Sequence, residues 1–229
     1  MGPPSRGDKG GNPARAGTGR VTLSRMTRAA STVRNTNETR IELSVDLDRP
    51  GDPADIRTGV GFFDHMLTHV AKHGRLGLKV TCGGDTHIDD HHTVEDVGIA
   101  LGETLVKALG DKRGIERYGH ASLPMDETLA RVSLDLSGRA AFVFRVDWTG
   151  YGIEPPAITG ETIGKFDVQL VKEFFNAVAM HARMNLHVEV PWGDNNHHIA
   201  EGIFKAFGRA LRDAVRVTHD EVPSTKGTL

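Results

Sequence analysis

The feature that most constrains this chain is a short stretch that occurs twice. Asp89-Asp90-His91-His92-Thr93-Val94-Glu95 returns as Asp194-Asn195-Asn196-His197-His198-Ile199-Ala200-Glu201. Each copy is an adjacent histidine pair with a glutamate four residues after the first histidine. Where such a stretch opens a helix, His91 and Glu95 fall one turn apart on one face, as do His197 and Glu201. His92 and His198 are turned away by about 100° around the axis. The first histidine and the glutamate can therefore grip one cation while the second histidine points toward another. One such copy could be an ordinary polar helix pair. Two copies at one spacing ask for a duplicated fold carrying a pair of related metal sites.

The rest of the chain supports the duplication. His91 and His197 lie 106 positions apart. In the second half two fewer residues separate the preceding helix from the motif, so the earlier offset is 108. That offset carries His73 onto His181 and His65 onto Glu173, so two ligand-capable pairs align. From Arg28 the pattern alternates, with Val33, Ile41, Leu43, Val45 and Leu47 as strand positions with one buried face. Gly59 to His73 reads as a helix with Gly74 as its C-cap, Leu76 to Thr81 as a strand, and the first motif as a helix capped at Asp89 or Asp90. Tyr118 to Leu123, Thr128 to Leu136 and Ala140 to Val146 read as strands, with Ser137-Gly138-Arg139 as a hairpin turn. Residues 148–165 read as a long loop. Phe166 to His181 is a helix, Met184 to Val190 a strand, and Asn195 to about Val217 the second motif helix.

The expected class is α+β, a tandem duplication of a small unit with a four-stranded sheet and two helices on one face. The repeats are expected over about 27–114 and 115–219, with a C-terminal tail at 220–229. Residues 1–26 are rich in Gly, Pro, Arg and Ser and read as a disordered tail.

Composition removes several classes. The formal net charge of -2 offers no field for nucleic acid or membrane. No apolar run approaches the roughly 20 residues a membrane span needs. The single cysteine, Cys82, excludes an intrachain disulfide framework and fits a reducing cytoplasm. The 12 histidines are the unusual count, and histidine is the commonest metal-ligand side chain.

The candidate ligands are His65, His91, His92, Glu95, Glu173, His197, His198 and Glu201. Eight ligands divide into two sites of four, each leaving positions open. Imidazole and carboxylate donors without thiolate suit Mn²⁺, Fe²⁺ or Zn²⁺. His69, His87 and His187 lack a partner in the pattern and read as ordinary polar residues. A second constellation is basic and hydroxylic: Arg117, Arg139, Lys205 and the Ser224-Thr225-Lys226-Gly227 tail. Forked arginine, a hydroxyl and lysine together are how phosphate monoesters are held. Glu38 has no local explanation beyond a strand-edge charge.

At these residues the sequence resembles the imidazoleglycerol-phosphate dehydratases of histidine biosynthesis. The matching stretches include Glu38-Thr39, Gly61-Phe62-Phe63-Asp64-His65-Met66-Leu67, both histidine motifs, Leu134-Asp135-Leu136-Ser137-Gly138-Arg139, Phe204-Lys205-Ala206-Phe207 and Ser224-Thr225-Lys226-Gly227. The similarity covers about residue 28 to the end. It implies two Mn²⁺ per active site, held by the eight ligands above. It implies a cytoplasmic homo-oligomer, a 24-subunit shell built from trimers, with active sites between subunits. The substrate would be D-erythro-imidazoleglycerol phosphate and the product imidazole acetol phosphate, by loss of water through a metal-bound imidazolate. Glu38, His91, Glu95, His197 and Glu201 would stand at the reacting centre, with Glu38 relaying the carbon-bound proton. Glu38, His73, Arg117, Arg139, Lys205, Ser224 and Lys226 would contact the substrate.

The chain departs from that family in three places. Glu173 stands where the family usually has histidine. His219-Asp220-Glu221 is short and acidic where a basic, Gly-rich run is common. The N-terminal tail has no counterpart. A di-metal hydrolase and a non-catalytic metal-binding shell are the rival classes, and neither accounts for all the motifs together.

Overall fold

The computed structural model describes residues 1–2, 27–50, 55–146 and 162–227. The first half runs β1 (Ala29–Asn35), β2 (Thr39–Asp46), β3 (Ile56–Arg57), α1 (Gly61–Gly74), β4 (Gly77–Gly84) and α2 (His91–Leu109). The second runs β5 (Tyr118–Met125), β6 (Thr128–Asp135), β7 (Ala141–Val146), a small hairpin of β8 (Thr162–Ile163) and β9 (Phe166–Asp167), α3 (Gln169–His181), β10 (Asn185–Trp192) and α4 (Asn196–Ala214). The two large sheets have the orders β1-β2-β4-β3 and β5-β6-β10-β7. In each, the last strand runs parallel to its neighbour and the other pairings are antiparallel. The same topology twice is the duplication expected from the sequence.

Each sheet buries one face, and alternation shows why. Strand β2 places Thr39, Ile41, Leu43 and Val45 inward, and β6 does the same with Thr128, Ala130, Val132 and Leu134. Helix α2 covers β1 and β2, and α4 covers β5 and β6, while α1 packs on α4 and α3 on α2. The helices of the two halves thus bury their apolar faces against each other between the sheets, in one continuous core. The helix crossings are close because glycines stand there. A Cβ on Gly102 would lie 2.7 Å from the Ala182 nitrogen, and one on Gly208 would lie 2.9 Å from the Val70 carbonyl oxygen. These glycines are themselves 106 positions apart, so the crossing is duplicated with the motif.

Several sequence expectations need correction. Ser137-Gly138-Arg139 does not close a hairpin: β6 and β7 are not partners, because β10 lies between them. The turn starts a crossover instead, and the central place goes to β10, whose Leu186 and Val188 are fully buried. Val33 is not on the buried face of β1 but 66% exposed, since Ala30, Thr32 and Arg34 point inward. Helix α1 begins at Gly61 and α3 at Gln169, because Phe166 and Asp167 are taken by β9. The left-handed residue after α1 is Arg75 at φ 51, not Gly74, which stays helical beside Gly208. Helix α2 has no side-chain cap from Asp90; Asp89 accepts from the His91 backbone N–H instead. The loop expected over 148–165 lies outside the described residues up to 161, as does the tail of 1–26 beyond Gly2.

Candidate metal centre

The first histidine pair opens α2. His91 Nε2 lies 3.6 Å from Glu95 Oε2, one helical turn on. His92 turns the other way, and its Nδ1 donates to Asp85 at 3.0 Å. That bond fixes the ring and leaves Nε2 outward, where Glu38 Oε1 is 3.8 Å away. The hydrogen bond to Asp85 raises the His92 pKa. Glu38, Asp85, Gly83, Gly84, Arg40 and His87 are among the residues lining an open cavity of ≈530 Å³.

The second pair opens α4, where the Asn195 side chain accepts from the backbone N–H groups of both His197 and His198. Four groups converge on the buried Glu201 carboxylate. His197 Nε2 is 3.2 Å from Oε2, His65 Nε2 and His69 Nε2 are each 3.3 Å from it, and Lys205 Nζ is 2.5 Å from Oε1. Helix α1 delivers His65 and His69 because it crosses α4 at the glycine contact. Burial alone would raise the Glu201 carboxyl, but the bond to Lys205, together with His69 and His197, holds it down to about 2. Burial pushes His69 down to about 4, against the pull of Glu201. Burial and the nearby Lys205 ammonium also lower His73.

One donor atom each from His65, His69 and Glu201 lies within 4.8 Å of the others. At neutral pH this cluster holds an ionised carboxylate and an unprotonated His69, with nitrogen and oxygen donors only. That is the state a divalent cation such as Mn²⁺ requires of its ligands. A second such group is Asp126, Glu127 and His198. There His198 Nδ1 donates to Glu127 Oε2 at 2.8 Å, which raises the histidine and holds Glu127 down to about 2.

Two residues here escaped the sequence reading. His69 reads as an ordinary polar residue in the sequence, although it lies one turn after His65 on the same helix face. Glu127 was not singled out. An offset of 89 relates β2 to β6 and carries Glu38-Thr39 onto Glu127-Thr128, so the signal was present.

Other candidates are not brought together within one chain. Among the described residues no hydrogen bond, ion pair or ring contact joins the first histidine pair to the second. Glu173 is half-buried on α3, which packs on α2 as α1 packs on α4, and it makes no ion pair among the described residues. Arg117 is bound to Asp135 through Nε at 2.7 Å and Nη2 at 3.0 Å, and its Nη1 donates to the Pro223 carbonyl at 2.8 Å. It thereby pins the tail beside Ser224, whose Oγ accepts from the Lys226 backbone N–H. Arg139 is exposed in the turn before β7. The Arg117 backbone N–H bonds the Ala214 carbonyl at the end of α4. Lys205 lies nine residues back, roughly 13 Å along the helix axis. Within one chain Lys205 is bound to Glu201 and Arg117 to Asp135, so each cation is already partnered at its own end of α4.

Among the described residues no helix is long and apolar enough to cross a membrane. The chain matches a family model described as imidazoleglycerol-phosphate dehydratase over residues 58–211. A protein of that name from Streptococcus mutans is 54% identical over 204 residues, covering 88% of this chain and 100% of that protein. One from Hydrogenovibrio crunogenus is 53% identical over 205 residues with the same coverage. The crystal structure of imidazoleglycerol-phosphate dehydratase from Staphylococcus aureus is similar with a TM-score of 0.71 at 39% identity, covering 83% of this chain and 99% of that one. That from Pyrococcus furiosus, in complex with (S)-C348, gives 0.72 at 34% identity, covering 86% and 100%.

Proposed function

This chain belongs to the imidazoleglycerol-phosphate dehydratase family, and from that premise we propose that it removes water from D-erythro-imidazoleglycerol phosphate to give imidazole acetol phosphate. It acts as a hydro-lyase of histidine biosynthesis in the cytoplasm. The observation that carries the reading is the convergence of His65, His69, His197 and Lys205 on the buried Glu201 carboxylate, at the start of a helix whose duplicate carries a second histidine pair.

His65, His91, His92, Glu95, Glu173, His197, His198 and Glu201 would hold two Mn²⁺ ions per active site. Bound there, the ions supply the Lewis acidity that lets the substrate's imidazole lose its N–H proton. Glu38 takes the proton from the carbon that becomes the ketone carbon. The hydroxyl on the carbon next to the ring departs as water, and the resulting enol tautomerises. Arg117, Arg139, Lys205, Ser224 and Lys226 hold the phosphate, and His73 lies along the substrate. The separation of Lys205 from Arg117, and of the two histidine pairs, supports active sites completed by neighbouring subunits. The corresponding assembly is a 24-subunit shell built from trimers, with residues 220–229 as a substrate-binding tail.

The test is to strip the metal, restore Mn²⁺, and follow ketone formation against phosphate release. Ketone without free phosphate is expected, and phosphate release would instead mark a hydrolase. Glu38→Gln is expected to keep its metal and lose turnover. Near-normal turnover in that variant removes Glu38 from the mechanism.

A further inference from the structure

The two halves solve the same local problem differently, and the difference surrounds Glu38. In the first half Asp96, on α2, is buried. Its Oδ1 accepts from Arg34 Nε at 3.0 Å and Nη2 at 2.8 Å, and its Oδ2 accepts from Thr39 Oγ1 at 2.5 Å. Thr39 Oγ1 contacts Thr36 Oγ1 at 3.2 Å, and that hydroxyl accepts from the backbone N–H groups of Glu38 and Thr39. The Glu38 carbonyl in turn accepts from the Asp85 N–H at 3.1 Å. The β1–β2 turn is therefore tied at both ends, with the Glu38 carboxylate left facing His92.

The second half supplies an internal control. At the offsets that relate the halves, Arg34 becomes Leu123, Thr39 becomes Thr128, Asp85 becomes Gly193 and Asp96 becomes Gly202. The sheet and helix form in the same way without the buried ions, so the fold does not need them. A Cβ on Gly202 would meet the Ala130 and Thr128 side chains at 3.2 and 3.7 Å, the first a tight contact. Thr128 Oγ1 instead donates to Glu127 at 3.0 Å, and Glu127 closes onto His198 Nδ1 at 2.8 Å. Where the acids are absent, the turn glutamate falls onto its histidine. Where they are present, Asp85 takes the histidine Nδ1, and Glu38 lies on the other side of the ring, 3.8 Å from Nε2. Ion pairs taken out of water are on balance poor stabilisers against apolar replacements, so stability is a weak reason for this one.

We propose that Asp96, acting with Arg34 through Thr39, is the positioning residue of Glu38, holding its carboxylate at the reacting centre on the Nε2 side of His92 instead of bonded to the ring's Nδ1. The inference rests on the reading of Glu38 as the group that takes the carbon-bound proton. From there Asp96 acts on the rate of that step and on neither substrate nor metal binding.

The test uses the full-length Mn²⁺-loaded protein, with kcat, KM and Mn²⁺ content read for each variant. Thr39→Val removes one hydroxyl from a buried site, and its kcat should fall by about 10- to 100-fold, the size expected for a misplaced reacting group, with KM and Mn²⁺ content unchanged. Thr39→Ser should restore it. Arg34→Leu with Asp96→Gly, which installs the second half's residues at two of the three differing positions and leaves Asp85 on His92, should fold and show the same fall. In a Glu38→Asp background, whose shortened carboxylate is already displaced, Thr39→Val should cost less than it does in the wild type. Wild-type kcat in both Thr39→Val and the Arg34/Asp96 variant, beside an inactive Glu38→Gln, overturns the inference and leaves the reading of Glu38 intact. An equal fall from Thr39→Val in both backgrounds also overturns it. Normal turnover in Glu38→Gln removes the reading of Glu38, and the inference with it.

Discussion

The spacing between β5 and α4 can be tested with one methyl group. Gly119 is buried in β5, and a Cβ there would run into the Ala210 carbonyl oxygen while lying 2.7 Å from its carbon and 3.2 Å from the Ala210 Cα. Ordinary contact begins at 3.4 Å, so the carbon alone requires the strand and helix to part by about 0.7 Å. All three atoms are backbone, so no rotamer change relieves the clash. Overpacking of this kind costs about 1–3 kcal/mol, and at this chain length each kcal/mol moves the melting midpoint by about 2–4 °C. Gly119→Ala should therefore melt roughly 2–12 °C below the wild type by calorimetry at equal protein and Mn²⁺ concentration. Because α4 carries His197, His198, Glu201 and Lys205, turnover should fall as well. The equivalent position in the first half is Ala30, where a methyl group is already accommodated. Ala30→Gly should therefore shift the midpoint much less. A Gly119→Ala protein that melts with the wild type would show that α4 does not lie against β5 as described.

Burial pushes the Cys82 thiol up to about 11 from 9.0, so the folded chain keeps a proton that the unfolded chain releases. Stability should fall as pH rises from 9 toward 11, by about 1.4 kcal/mol at pH 10. Urea melts of Cys82→Ala across that window should lack this slope, and an equal slope in both proteins would contradict the burial. Glu173→His should keep Mn²⁺ binding but make it fall more steeply in acid, because an imidazole must lose its proton to bind. Mn²⁺ titrations at pH 7 and pH 6 compare the two, and parallel pH dependences would take Glu173 away from the metal.

The legible parts of the fold were those set by local periodicity. The alternation in β2 gave a strand with Ile41, Leu43 and Val45 inward, and the helical spacing of Phe62, Phe63, Met66, Leu67 and Val70 gave α1 and its buried face, Phe62 being half-buried. The recurrence of His-His-x-x-Glu gave the duplication, because a ligand pattern survives where the surrounding side chains drift. Strand pairing was not legible. Ser137-Gly138-Arg139 reads identically whether the chain folds back on its neighbour or crosses over, and the choice rests on β10, some fifty residues later. Val33 failed for a related reason: a lone apolar residue does not fix the phase of a strand whose inward face carries Thr32 and Arg34. His69 was missed because its partner Glu201 lies 132 positions away and is supplied by a helix crossing.

The asymmetry between the halves carries the most chemical weight. Duplication by itself would have given two equivalent turn glutamates, each free to collapse onto the histidine beside it. Glu127 has done so, and a carboxylate bonded to Nδ1 orients that ring and raises its basicity as a ligand. Glu38 cannot do the same, because Asp85 already holds His92 Nδ1 and Asp96 ties the turn through Thr39. A dehydration of this kind needs firm ligands and one carboxylate able to take a proton from carbon. If each active site draws the first histidine pair from one chain and the second from another, it receives one glutamate of each kind. On the function proposed above, Asp85 and Asp96 with Arg34, where the other half has Gly193, Gly202 and Leu123, would divide those tasks between the two halves.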